Sequence, residues 1–174
     1  MNDRAFVQTV DAAMAEAARL SGAWLVCRPG CCQCCLGSFS ISQLDAARLR
    51  SGREELAARE PERAAAVRRR AADFPAADDD APCPALDPES GLCDLYEARP
   101  ITCRTFGPPV RCGEQDVGVC ELCFQGASDE EIAACEVEID PEDLESRLIG
   151  EVEASTGVRG ETTVALALTA ARRA

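Results

Sequence analysis

The chain has 174 residues, with 12 Cys, no His, 18 basic residues that are all Arg, and a formal net charge of −13. That charge repels a phosphate backbone, so nucleic acid is excluded as a partner. The missing His and Lys exclude Ser-His and Cys-His nucleophile pairs, Schiff-base chemistry and any histidine-ligated metal site.

Residues 3–20 read as an amphipathic helix, because Phe6, Val7, Val10, Met14 and Ala17 recur at three- and four-residue steps. Acids at Asp3, Asp11 and Glu16 interrupt this N-terminus, which lacks the apolar run of a signal peptide, so a cytoplasmic location is expected. Residues 21–41 should form loop. Ser42 predicts a helix N-cap for the segment QLDAARLR, with a stop near Ser51-Gly52. Residues 53–73, rich in Ala, Arg and Glu, predict another helix whose apolar stripe is narrow. Its run Arg68–Arg70 reads as a solvated face.

From Phe74 to Pro88 the composition shifts to Pro, Ala and Asp, predicting a flexible connection. Residues 83–123 carry six cysteines among Gly and Pro, and predict loops, short strands and one helical turn. Ser128 with Glu131 predicts a capping box. Asp140-Pro141 predicts a helix start, with Leu144, Leu148 and Val152 along one face. A last helix is expected over about 162–172, with Val164, Leu166 and Leu168 packed before Arg172 and Arg173. Its apolar stretch is too short to span a bilayer, so no membrane role is expected. The expected fold class is mainly α: one domain over 1–174, with an irregular, metal-stabilised cysteine core over 24–125 and a helical segment over 126–174.

The cysteines carry the chemistry. Cys27-x3-Cys31-x2-Cys34, followed at once by Cys35, aims sulfurs from a tight loop in the manner of zinc and iron–sulfur sites. Adjacent side chains diverge, so Cys34 and Cys35 suggest two neighbouring metals, or one ligand beside a buried thiol. Cys32, inside the x2 gap, is the least expected ligand. Cys83, Cys93 and Cys103 stand ten residues apart and should come from separate loops, with Gly91 permitting a sharp turn before Cys93. Cys112, Cys120 and Cys123 follow, and Cys120-x2-Cys123 is a chelating step. Cys135 is open between a ligand and a buried small side chain. In a reducing cytoplasm metal ligation is preferred over a disulfide framework. The candidate ligands are therefore Cys27, Cys31, Cys34, Cys35, Cys83, Cys93, Cys103, Cys112, Cys120 and Cys123.

CRPGCCQCC together with CPALDPESGLCDLYEARPITCRTFG resembles the YkgJ-type cysteine-cluster family, zinc- or iron-chelating proteins known by a CxxCxxCC motif. The second segment is the more specific, fixing Pro84, Leu86, Gly91, Tyr96, Arg99, Pro100 and Arg104 around three cysteines. The first gap here is three residues rather than two, a departure that bears on Cys27. The resemblance implies a metal-chelating protein and leaves zinc against iron open. Arg99 and Arg104 are expected beside the thiolates, where they offset charge and donate hydrogen bonds to sulfur. Dispersed ligands and the vicinal cysteine pair suit a 4Fe-4S cluster, and closed four-sulfur cages suit zinc; Cu(I) is a third soft-metal option. The function expected is a cytosolic metal-binding protein in a structural or redox role, with metal ions and a protein or redox partner. The alternatives are an iron–sulfur enzyme, acting on protein with S-adenosylmethionine, and a zinc-stabilised interaction module.

Overall fold

The computed structural model describes residues 2–112 and 117–170, with Cys112 described by its backbone only. In chain order the helices are α1 (Asp3–Ser21), α2 (Gln43–Arg59), α3 (Pro61–Ala72), α4 (Ile101–Arg104), α5 (Asp129–Ala133), α6 (Leu144–Thr156) and α7 (Val164–Thr169). The strands are β1 (Ser40–Ile41), β2 (Val110–Cys112), β3 (Val137–Ile139) and β4 (Thr162–Thr163). The fold is mainly helical, with helices at both ends and a cysteine-rich middle. Its backbone groups into two compact units, Met1–Arg28 with Ile101–Glu151, and Pro29–Pro100 with Val152–Ala174.

In the first unit, Asn2 caps α1 by accepting the Ala5 N–H at 3.0 Å. The helix buries Phe6, Val10 and Ala17, three of the positions on its apolar stripe. It packs against β3, which pairs in parallel with β2 through Val110↔Val137. Arg104, at the end of α4, is 4% exposed. Its Nη1 donates to both carboxylate oxygens of Asp11 on α1, at 2.8 and 2.9 Å. A buried guanidinium must be matched by a carboxylate, so this pair fixes α4 on α1. Ser128 and Glu131 form the expected capping box, which opens the short α5.

The second unit is built on α2, α3 and α7. Leu49, Leu56, Val67 and Leu168 interlock with almost no exposure, and each contributes about 1.5–3 kcal/mol on burial. Ser42 caps α2 as expected, accepting the Asp45 N–H at 3.1 Å. β1 and β4 pair antiparallel, Ser40↔Thr163 and Ile41↔Thr162, and Thr163 then caps α7.

Several expectations are corrected. The helix from Ser42 does not stop at Ser51-Gly52 but runs to Arg59, and the break comes at Glu60-Pro61, where proline opens α3. Gly52 is glycine for packing: a Cβ there would stand 2.3 Å from the Ala98 Cβ. Residues 81–83 of the connection are pinned by backbone bonds, Gly37 N–H to the Ala81 carbonyl at 2.8 Å and Cys83 N–H to the Cys35 carbonyl at 2.7 Å. Asp140 does cap a helix, but α6 begins at Leu144. Its carboxylate reaches forward to the N–H groups of Leu144 and Glu145, both at 2.8 Å. The last helix spans Val164–Thr169, with Leu166 exposed rather than packed; Arg172 and Arg173 lie outside the described residues. The Arg68–Arg70 run is not wholly a solvated face. Arg70 donates to the Pro84 carbonyl at 2.9 Å and to Asp94 at 2.6 Å, and the Asp94 side chain is 1% exposed.

Candidate metal centre

In the second unit, long-range backbone pairing brings four cysteines together. The 3-10 turn Gln33–Cys35 is closed by the Cys35 N–H on the Cys32 carbonyl at 2.8 Å. The chain then straightens and pairs with the segment before Cys83, through an antiparallel bridge between Leu36 and Pro82. Gly37 makes this approach possible: its φ of +78° is left-handed, and a Cβ would meet the Asp79 carbonyl oxygen at 2.9 Å. A second bridge, Leu86↔Cys93, folds the Cys93 strand back beside Cys83. The intervening turn is held by Asp87, which accepts from Ser90, and by Gly91 at φ +68°. Cys31 follows Gly30, whose backbone lies 3.8 Å from where a Gly91 Cβ would sit, so its turn packs against the turn that leads into Cys93. Arg63 and Arg70 both grip Asp94, the residue after Cys93, and anchor this strand to α3.

The electrostatics show that these sulfurs feel one another. Contrary to the expectation that adjacent side chains diverge, the Cys34 and Cys35 thiols share a hydrogen bond, which lowers Cys34 to about 6 and raises Cys35. Burial also raises Cys35, as does the charge that Cys34, Cys83 and Cys93 would carry. Burial pushes Cys83 up to about 11, against the pull of the Ala85 and Leu86 N–H groups and the Arg70 charge. Burial likewise raises Cys93, opposed by the Leu95 N–H and by Arg99. Backbone N–H groups directed at sulfur and the nearby charges of Arg70 and Arg99 stabilise a thiolate, and a bound cation would secure that form. The donor set of four sulfurs with N–H support therefore fits a thiophilic metal. Among the described residues no three Cys, Asp or Glu side chains already converge at ligand distance. The sulfurs are gathered but not closed around a point, so binding has to draw them inward.

The first unit holds a separate group. Cys27 and Cys123 sulfurs stand 3.9 Å apart, and Cys120 lies one turn before Cys123. Cys135 is buried with Cys120 and Cys123, and its thiol donates to the Leu20 carbonyl at 3.3 Å. Cys103 sits on α4, also in this unit. Cys112 ends β2, and its side chain lies outside the described residues.

A family model for the CxxCxxCC domain, described as a putative zinc- or iron-chelating domain, matches residues 26–121. The chain belongs to the CxxCxxCC family. The match spans Cys27 to Cys120 and ends before Cys123 and Cys135. Comparison with curated proteins and with solved structures gave no match. The family character is metal chelation by a cysteine cluster, and in this member the cysteines are distributed over both units.

The arginines of the family-like motif are placed differently from each other. Arg99 lies 3.8 Å over the Tyr96 ring, donates to the Tyr96 carbonyl at 2.8 Å, and its charge bears on Cys93. Arg104 is held by Asp11. Arg70 was missed as a residue of the site. Its signal was present only as an acid, Asp94, beside a cysteine, with a basic run upstream to match it.

The thiol electrostatics give a direct prediction. In reduced, metal-free protein, iodoacetamide should modify Cys34 with a midpoint near its value of about 6, whereas Cys83 should resist until the pH approaches about 11. Peptide mass mapping across pH checks this. Equal labelling of the two at neutral pH would contradict the assigned environments.

Proposed function

We propose that this protein holds zinc, or iron as a 4Fe-4S cluster, on the thiolates of Cys34, Cys35, Cys83 and Cys93. The role is structural or redox. The observation that carries this reading is the assembly of those four thiols by the Leu36–Pro82 and Leu86–Cys93 bridges, with backbone N–H groups turned toward two of the sulfurs. Four sulfurs fill a zinc tetrahedron or the four corners of a cubane and leave no position for a substrate. That favours holding a metal over the iron–sulfur enzyme reading, which needs an open iron. Arg70 and Arg99 would stand beside the bound thiolates and offset their charge. A reducing compartment such as the cytoplasm keeps the thiols available. A net charge of −13 suits a basic protein or redox partner.

The test is anaerobic isolation with elemental analysis, acid-labile sulfide and a visible spectrum. Iron with sulfide supports the cluster, and colourless stoichiometric zinc supports the structural form. Folded protein with neither metal after reconstitution overturns the proposal.

A further inference from the structure

We infer that the first unit carries a metal site of its own, in which Cys27, Cys120 and Cys123 bind a single tetrahedral ion of the zinc type. This goes beyond the four-sulfur group, shares no residue with it, and uses Cys123, which the family match does not reach.

The first observation is a distance. Two thiolates on one tetrahedral ion, each about 2.3 Å from it, stand about 3.8 Å apart. The Cys27 and Cys123 sulfurs are 3.9 Å apart. In a cubane each thiolate is carried on its own iron and the sulfurs stand further apart, so this pair is spaced for one ion.

The second observation is the backbone. Cys120-Glu121-Leu122-Cys123 forms a turn closed by the Cys123 N–H on the Cys120 carbonyl at 2.9 Å. The next residue, Phe124, has φ +57°, a left-handed conformation that is strained for a bulky side chain. Packing holds it there. The Phe124 ring stacks on Trp24 at 6.1 Å and 14°, and its N–H donates to the Trp24 carbonyl at 3.1 Å. That strand of contacts brings the Cys27 segment, three residues beyond Trp24, onto the Cys120–Cys123 turn. Strain maintained at a turn between two cysteines and their neighbour is what a ligand-aiming turn needs, and the core residues around it bear the cost.

The third observation is Gly107. It sits at φ +122°, and a Cβ there would lie 3.3 Å from the Cys27 sulfur. Its carbonyl accepts the Cys120 N–H at 3.1 Å. One glycine thus touches both arms of the trio and leaves the space beside sulfur clear. Cys135 is buried beside Cys120 and Cys123, and its thiol donates to the Leu20 carbonyl at 3.3 Å in the reduced, metal-free protein. Cys120 is held one turn before Cys123, and binding has to bring its sulfur to the pair, with the fourth position filled from outside the trio.

The test uses the full chain, reduced, stripped of metal and titrated with Co(II), whose tetrahedral thiolate complexes give intense visible bands. Cys27→Ser and Cys123→Ser should each weaken a Co(II) step by about 100-fold or more, since a ligand matters at least as much as its supporting shell. Cys83→Ser should leave that step in place. Cys27 is exposed, so its variant tests the site even where Cys123→Ser fails to fold. If Cys27→Ser keeps every Co(II) band while Cys83→Ser loses them, the four-sulfur group stands and this site is refuted. If neither variant changes any band, both readings fail. A Cys27–Cys123 disulfide forming under glutathione disulfide at unchanged zinc content would also refute the site, since bound thiolates cannot be oxidised without releasing the ion.

Discussion

Cys83→Ser should strip the metal from the second unit and remove the stability that the metal supplies. Cys83 is tied by its N–H to the Cys35 carbonyl, and its sulfur faces the Ala85 and Leu86 N–H groups. A hydroxyl in that place is a poor ligand for zinc or iron. Metal that binds the folded state alone adds about 4 kcal/mol at 1,000 times its Kd. We therefore expect the metal-loaded wild type to exceed the variant by about 4 kcal/mol or more in denaturant unfolding. Excess chelator should shrink that gap to about 1 kcal/mol, the scale of an ordinary side-chain change. A gap of the same size with and without chelator would show that Cys83 acts through packing, not through metal.

The second large effect is expected at Gly52. In the exposed middle of a helix, Gly→Ala stabilises by about 0.5–1 kcal/mol. Gly52 is mid-helix in α2, yet its missing Cβ is the seat of Ala98, at 2.3 Å, with the Leu95 Cδ2 at 3.9 Å. Both contacts come from the segment around the 3-10 turn Tyr96–Ala98, just beyond Cys93. Gly52→Ala should therefore destabilise by about 2 kcal/mol, as overpacking does, and lower Tm by about 5 °C for a chain of this size. Because the displaced turn follows Cys93, metal affinity should fall with it. A rise in Tm would show that the contact relaxes freely.

Gly52 also shows where reading the sequence reaches its limit. Local propensity treats glycine as a stop, and here it marks a close approach to a residue 46 positions away, which no local pattern encodes. The caps at Ser42 and Ser128 were legible because a hydroxyl and the N–H three residues on are neighbours in the chain. Asp140 was legible as a cap but not in its reach, since its φ of +56° lets the carboxylate serve a helix that starts four residues later. The ends of the cysteine-rich region were legible from residue type alone. Which cysteines are brought near one another was not, because the segments of Cys35, Cys83 and Cys93 are joined by bridges between distant parts of the chain. The same holds for the first unit, where the Trp24–Phe124 contact helps bring Cys27 to Cys123.

The most direct test of thiolate metal binding is X-ray absorption at the edge of the metal that co-purifies under anaerobic conditions, in the full chain. A sulfur shell at about 2.3 Å is expected, and Cys83→Ser should lower the metal content by what the second-unit group holds, leaving only metal on the Cys27 group. A shell of oxygen or nitrogen alone, or a Cys83→Ser protein that keeps both its full metal content and its sulfur shell, would contradict thiolate binding by the second unit.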